Sequence, residues 1–242
     1  MKYFLPILVS GLCVIFCACK ENMLRGEGAK GSITPSVSSF SGLDVSMSAK
    51  VVVNVQEGAQ PAVRVSGFEN VLKYVRADVS GNVLHIHFDN TGFRSFQYDD
   101  MTIEVTMPAI NSLSLSGAPD AEIHGNVTGR ALNISVSGSS SVDIDNLNTD
   151  NFSMDISGSG ALNIKGGHVK SASYQVSGSG DVSAFPLQSD RTEASISGSG
   201  SGKVTALQSL SANISGSGSI SYKGHPSVSQ HVSGTGSIMD AN

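Results

Sequence analysis

The stretch Tyr174–Ala184, YQVSGSGDVSA, is either a flexible Gly/Ser linker or the bend of a rigid fold. Its central word recurs in ISVSGSSSVDI (134–144), MDISGSGALNI (154–164), ASISGSGSGKV (194–204), ANISGSGSISY (212–222) and QHVSGTGSIMD (230–240). Aligned on the first glycine of each word, the series is Gly117, Gly138, Gly158, Gly178, Gly198, Gly216 and Gly234, with spacings of 21, 20, 20, 20, 18 and 18. A near-constant period of this size is the mark of a stacked, quasi-one-dimensional fold.

Offsets from that glycine decide between the two objects. Two residues before it stand Leu115, Val136, Ile156, Val176, Ile196, Ile214 and Val232. Six after it come Ile123, Ile144, Ile164, Ala184, Val204 and Tyr222, until Asp240 breaks the series. Four after it come Ala121, Val142, Leu162, Val182, Gly202, Ile220 and Ile238. A third apolar position falls in each link, at Val127, Leu147, Val169, Leu187, Leu207 and Val228. Between these sit Ser, Asn, Asp and Thr, so side chains alternate inward and outward with period two. A linker has no reason to hold β-branched residues at fixed offsets. The words therefore predict corners, where glycine takes a positive φ and small serines let successive corners stack, their hydroxyls available to neighbouring backbone groups. The predicted fold is all-β, a single-stranded right-handed β-helix (β-solenoid) of three short strands per coil. At about 4.8 Å per rung, seven repeats rise roughly 30 Å.

Upstream, LDVSMSAKVVVNV (43–55), AVRVSG (62–67), VLHIHF (83–88) and MTIEVTM (101–107) are strand-like and separated by turn words. Only FENVLKYVRADV (68–79) suits a short helix or an extended turn. The expected organisation is a signal peptide over 1–18, a lipidated N-terminus and flexible tether over 19–39, and a β-rich section over 40–108. That section continues into the repeat solenoid over 109–242 as one domain.

The first eighteen residues, MKYFLPILVSGLCVIFCA, pair one basic residue with an apolar run too short and wrongly flanked for a membrane anchor. They end in FCAC, a lipobox-like word that makes Cys19 the expected lipidation site. Cys13 and Cys17 would leave with the peptide, so no internal disulfide is expected. Lys20-Glu21 resembles the start of a basic–acidic surface-export signal. Together these place the chain at the cell envelope, lipid-anchored to the outer membrane and a candidate for surface display. The formal net charge of −5, with 14% charged residues, offers no basic stripe for nucleic acid.

The order FSGLDVSMSAKVVVNVQEG, VRVSGFENVLKYVRADVSGNVLHIHF, MTIEVTMPAINSLSLSGAPDAEIHG and then the SGSG series resembles the putative auto-transporter adhesin, head GIN domain family. The resemblance runs from about Phe40 to the C-terminus. It implies a β-helix with a β-rich N-terminal section on secreted or lipid-anchored bacterial proteins, and it brings no catalytic motif.

Candidate sites are few. His85 and His87 share one face of a strand but lack the further ligands a closed metal site needs. Glu122 and Asp143 fall at the same offset of successive coils, with Asp155 across the corner. Stacked carboxylates of this kind hold a cation or act as an acid–base pair in carbohydrate-active β-helices. The column continues as Asn163, Ser183 and Lys203, so the acidity is not sustained. Asp99-Asp100 beside Phe93, Phe96 and Tyr98 is a second acidic cluster. The expected function is non-enzymatic adhesion or ligand binding, with Glu122, Asp143, Asp155, Asn163 and Gln175 as the binding surface. A glycan or an extracellular protein is the expected partner and no cofactor is required. A carbohydrate-active enzyme and a purely structural envelope protein are the alternatives. The chain ends at SIMDAN without a capping element, so the last rung is expected to be closed by another subunit or another protein.

Overall fold

The computed structural model describes residues 23–89, 92–93 and 95–242. The signal peptide, Cys19 and Lys20-Glu21 lie outside the described residues.

The repeats form a β-solenoid of about 6 turns. Each coil stacks in parallel register on the next, so that Val136 sits on Ile156, Ile156 on Val176 and Val176 on Ile196. The strands Asp120–Gly138, Ser141–Gly158 and Asp181–Gly198 each run from one SGSG corner to the next, bending on the way. The corner glycines are themselves in register, and Gly138, Gly158, Gly178 and Gly198 all have φ of 127–128°. The ties between successive corners are main-chain. Ser159 N–H donates to the Gly138 carbonyl at 2.9 Å, and Ser179 and Ser199 repeat the bond one and two coils on. Amides thus do the work the sequence suggested for serine hydroxyls, with a second tie at the far side of the corner, where the Ala161 amide donates to the Ser140 carbonyl and the Asp181 amide to that of Gly160.

The core confirms the columns before and after the corner, from Leu115 to Ile214 and from Ala121 to Ile220. Two further buried columns lie four and six residues before the glycine. Ile134, Met154, Tyr174 and Ala194 form one, and Leu132, Phe152, Ala172 and Thr192 form the other. Large and small alternate between them, so Tyr174 and Phe152 meet edge to face at 5.7 Å where Ala172 leaves room.

The third apolar position needs correction. Leu147, Gly167 and Leu187 make one column, whereas Val169 stands in the neighbouring one between Thr149 and Ser189. Leu207 is exposed (41%), and Ala206 takes the buried place beside Ser189. The physical reason is the shortened repeat: the register slips between Ala184 and Gln188 and again between Ser189 and Arg191 as residues are dropped from the link.

The N-terminal section builds two more rungs, threaded out of chain order. Gly42–Val45 and Lys50–Val55 stack under Ser112–Gly117 and the start of Asp120–Gly138. Val83–Phe88 and Thr102–Met107 stack under those in turn, again in parallel. The end is then closed by antiparallel strands, Val75–Ser80 on Val83–Phe88 and Ala62–Phe68 on Thr102–Met107. The short helix Glu69–Leu72 links them and buries Val71 and Leu72.

A free tether to residue 39 was expected, but the chain is already held at Met23. Met23–Arg25 pairs with Ser95–Gln97, and Lys30–Ile33 adds an antiparallel strand to Ala62–Phe68. Leu24 and Ile33 pack against the core, giving a segment of polar composition an apolar reason to dock.

Candidate functional site

Where the cap meets the first coils, a groove of about 610 Å³ is lined by Ser48, Lys50, Tyr98, Asp100, Asp120, Glu122, Ser141 and Asp143 among others. Three pieces of chain build it. Lys50 opens the strand Lys50–Val55, which lies in register with Asp120 and its successors. Asp120 and Glu122 project from one coil, and Ser141 and Asp143 from the next. Tyr98 and Asp100 come from the segment that follows Ser95–Gln97. Glu122 and Asp143 of one acidic cluster and Asp100 of the other are thus walls of one groove.

Every acid there has a fixed partner. Lys50 Nζ lies 2.9 Å from Glu122 Oε1, and Lys30 Nζ lies 2.7 Å from Asp100 Oδ2. Asp120 Oδ1 accepts from the Ser141 amide at 2.8 Å and its hydroxyl at 2.6 Å. Asn163 Nδ2 donates to Asp143 Oδ1 at 2.8 Å. Tyr98 Oη donates to the Ser48 carbonyl at 2.8 Å, and burial pushes its phenol up to about 12.

A ladder of charges continues up the wall. His124 bridges Glu122 (3.4 Å) and Asp145 (2.9 Å), and Lys165 pairs with Asp145 at 2.8 Å. Lys50, by its hydrogen bond, holds the Glu122 carboxyl below the usual glutamate range; Lys165 first and His124 second do the same for Asp145. Exposed pairs of this kind are worth little to stability. Their consequence is geometric, because long side chains are held in one arrangement on a rigid sheet.

The five residues expected to share a surface divide. Glu122, Asp143 and Asn163 form one vertical column. Asp155 and Gln175 form another, in register with Ser135 and Ser195, on the other side of the corner. Asp155 lines a second groove of about 350 Å³ with Asp44, His85, Ser114 and Ser135, and the two grooves share no residue. The chain turns between the two offsets, which sends them to different faces. His85 Nδ1 lies 3.1 Å from Asp44, and His87 stands opposite Arg76 of the antiparallel cap strand. Among the described residues no group of three or more metal-ligating side chains converges. Lys50, Asp120 and Ser141 were missed by sequence reasoning. Their only signal was that Asp120 and Ser141 occupy the same offset, three residues after their glycines.

Residues 39–226 match the family described as putative auto-transporter adhesin, head GIN domain. Among solved structures, a putative adhesin from Bacteroides fragilis superposes with a TM-score of 0.82 at 23% identity, covering 90% of this chain and 99% of its own. A putative lipid binding protein from Parabacteroides distasonis gives 0.73 at 27% identity, covering 91% of this chain and 100% of its own. A putative adhesin from the same organism gives 0.72 at 26% identity, covering 90% and 100%. No curated protein matches the chain. No helix among the described residues is long and apolar enough to cross a membrane.

Proposed function

We propose that this chain, which belongs to the putative auto-transporter adhesin, head GIN domain family, is a lipid-anchored envelope module that binds an extracellular glycan without chemically altering it. The reading rests on the groove at the junction of cap and coils. Its carboxylates and the Ser141 hydroxyl, each pinned by a neighbour, form a preorganised set of acceptors and donors suited to a polyhydroxylated ligand. Preorganisation lowers the ordering cost of binding, and a rigid parallel sheet is its source.

The carbohydrate-active alternative requires a carboxyl that stays protonated near neutral pH to act as general acid. Glu122 and Asp100, which line the groove, are held in the opposite direction by Lys50 and Lys30. The groove chemistry therefore favours recognition over cleavage.

The anchor supplies the address. With Cys19 acylated, the strand Met23–Arg25 begins only a few residues from the membrane, which sets the cap end of the solenoid against the bilayer. The test is adherence of cells displaying the full chain to glycan-coated surfaces, beside cells carrying Cys19→Ala. The expected result is adherence and fatty-acid labelling of the wild type, both lost in Cys19→Ala. Adherence unchanged without the cysteine would contradict the anchored reading.

A further inference from the structure

The two ends of the solenoid differ. The cap end is closed by antiparallel strands, whereas the last rung, Ser227–Gly234 with Ser237–Asp240, is paired on one side only, to Ser201–Gly216 and Ser219–Lys223. Val228 continues the buried column of Leu210, and Val232 that of Ile214, yet both are 40% exposed. Every residue of Ser227–Gly234 is exposed, while Met239, also exposed, belongs to the outward column of Ser221. Among the described residues nothing covers the apolar columns at this end.

Natural sheet edges are blunted by lysine, proline or inward charge. Ser227–Gly234 carries none of these; the one charged residue of the rung, Asp240, stands across the corner in the column of Tyr222, where it accepts from Asn242. The Ser227–Gly234 edges of two copies therefore meet without like-charge repulsion. The sequence of the edge also reads nearly the same in both directions: Ser227-Val228-Ser229-Gln230-His231-Val232-Ser233 has Gln230 at its centre. Antiparallel pairing of two copies about Gln230 sets Val228 against Val232, Ser227 against Ser233 and Gln230 against itself. Parallel head-to-tail continuation is disfavoured, because the opposite end finishes in the antiparallel strands Val75–Ser80 and Lys30–Ile33, which carry Arg76, Asp78 and Lys30.

We infer that the C-terminal rung docks on the C-terminal rung of a second copy, antiparallel, about a two-fold axis through Gln230. Such an isologous contact closes on itself and uses up both C-terminal edges. Each inward valine then meets its counterpart, and Gln230, inward in the column of Ala212, faces the amide of the second copy's Gln230 between them. Met23 lies at the cap end, so copies anchored near it present these rungs outward, and the contact joins two opposing surfaces. That last consequence rests on the anchored reading; the pairing itself does not.

The pairing is tested on the full chain in a non-ionic detergent by sedimentation velocity across a concentration series. The wild type is expected to pass from monomer to dimer and no further. Val232→Lys is expected to weaken the dimer by at least about tenfold while leaving the β-sheet circular dichroism intact. In a second measurement, with Cys13, Cys17 and Cys19 changed to Ser, Gln230→Cys is expected to give a reducible covalent dimer on mild oxidation, and Ser197→Cys is not. A folded monomer at every concentration, a dimer indifferent to Val232→Lys, open-ended polymers, or crosslinking at 197 rather than 230 would each overturn the inference. Since glycan binding is not measured here, failure of the pairing leaves the groove reading standing.

Discussion

Gly138 lies on Gly117 so closely that a Cβ added to Gly138 would fall on the Gly117 carbonyl oxygen. The same relation holds for Gly158 on Gly138 and for Gly178 on Gly158. Glycine is required there twice over, by its φ of 128° and by the oxygen above which it sits. That oxygen is also the acceptor for the Ser139 amide at 3.1 Å, so a side chain would displace a ladder hydrogen bond.

Gly138→Ala is therefore expected to cost about 3 kcal/mol or more, combining left-handed strain with overpacking. Gly28→Ala is the control, with φ of 87° and nothing within 4 Å of the added carbon, so only the conformational cost remains. Urea unfolding of both variants checks the difference. Equal losses would mean that corner stacking contributes nothing.

Ser140 stands where later coils have Gly160, Gly180 and Gly200, and its buried hydroxyl has no hydrogen-bond partner among the described residues. Removing an unsatisfied buried hydroxyl recovers its desolvation cost. Ser140→Ala is expected to stabilise the chain by about 1 kcal/mol, seen as a raised Tm. A lower Tm would show that the hydroxyl has a partner in solution.

Much of this was legible in the sequence because corner and core columns repeat at fixed offsets. The alternation around Gly158 or Gly178 has no second interpretation, and the structure agrees with it. The third column was not legible, because links absorb insertions and Leu207 was carried outward when the repeat shortened. The cap was only half legible: its strands are plain in VLHIHF and MTIEVTM, but their stacking beneath Gly42–Val55 is a non-local pairing that no local pattern encodes. The same holds for the groove, where Lys50 reaches Glu122 across a threading order invisible in the chain.

Phe152, buried and edge-on to Tyr174, is among the largest enclosed side chains of the core. Phe152→Ala is expected to cost about 3–5 kcal/mol through lost burial and the cavity left behind. Loss of much less in chemical denaturation would indicate that neighbouring coils collapse into the space.

The charge ladder sets an acid limb. Glu122 and Asp145 are depressed in the folded chain, so their contribution is present above the ordinary carboxylate values of 4.5 and 3.8 and is lost as pH falls through the lower folded values. Glu122→Gln with Asp145→Asn is expected to lower Tm slightly at neutral pH, where exposed pairs count for little, and to converge with the wild type in acid, so the acid limb is flatter by that same small amount. An acid limb as steep as the wild type's would assign the sensitivity to other groups.

Binding of the purified chain to a glycan and extracellular-matrix array tests the central claim most directly. The account predicts saturable binding to glycan spots, weakened at least about tenfold in the folded triple variant Asp120→Asn, Glu122→Gln, Asp143→Asn. It predicts unchanged binding in Asp155→Asn with Gln175→Ala, which alters the other face. No binding by a folded sample, binding confined to protein spots, or equal binding by the triple variant would contradict it.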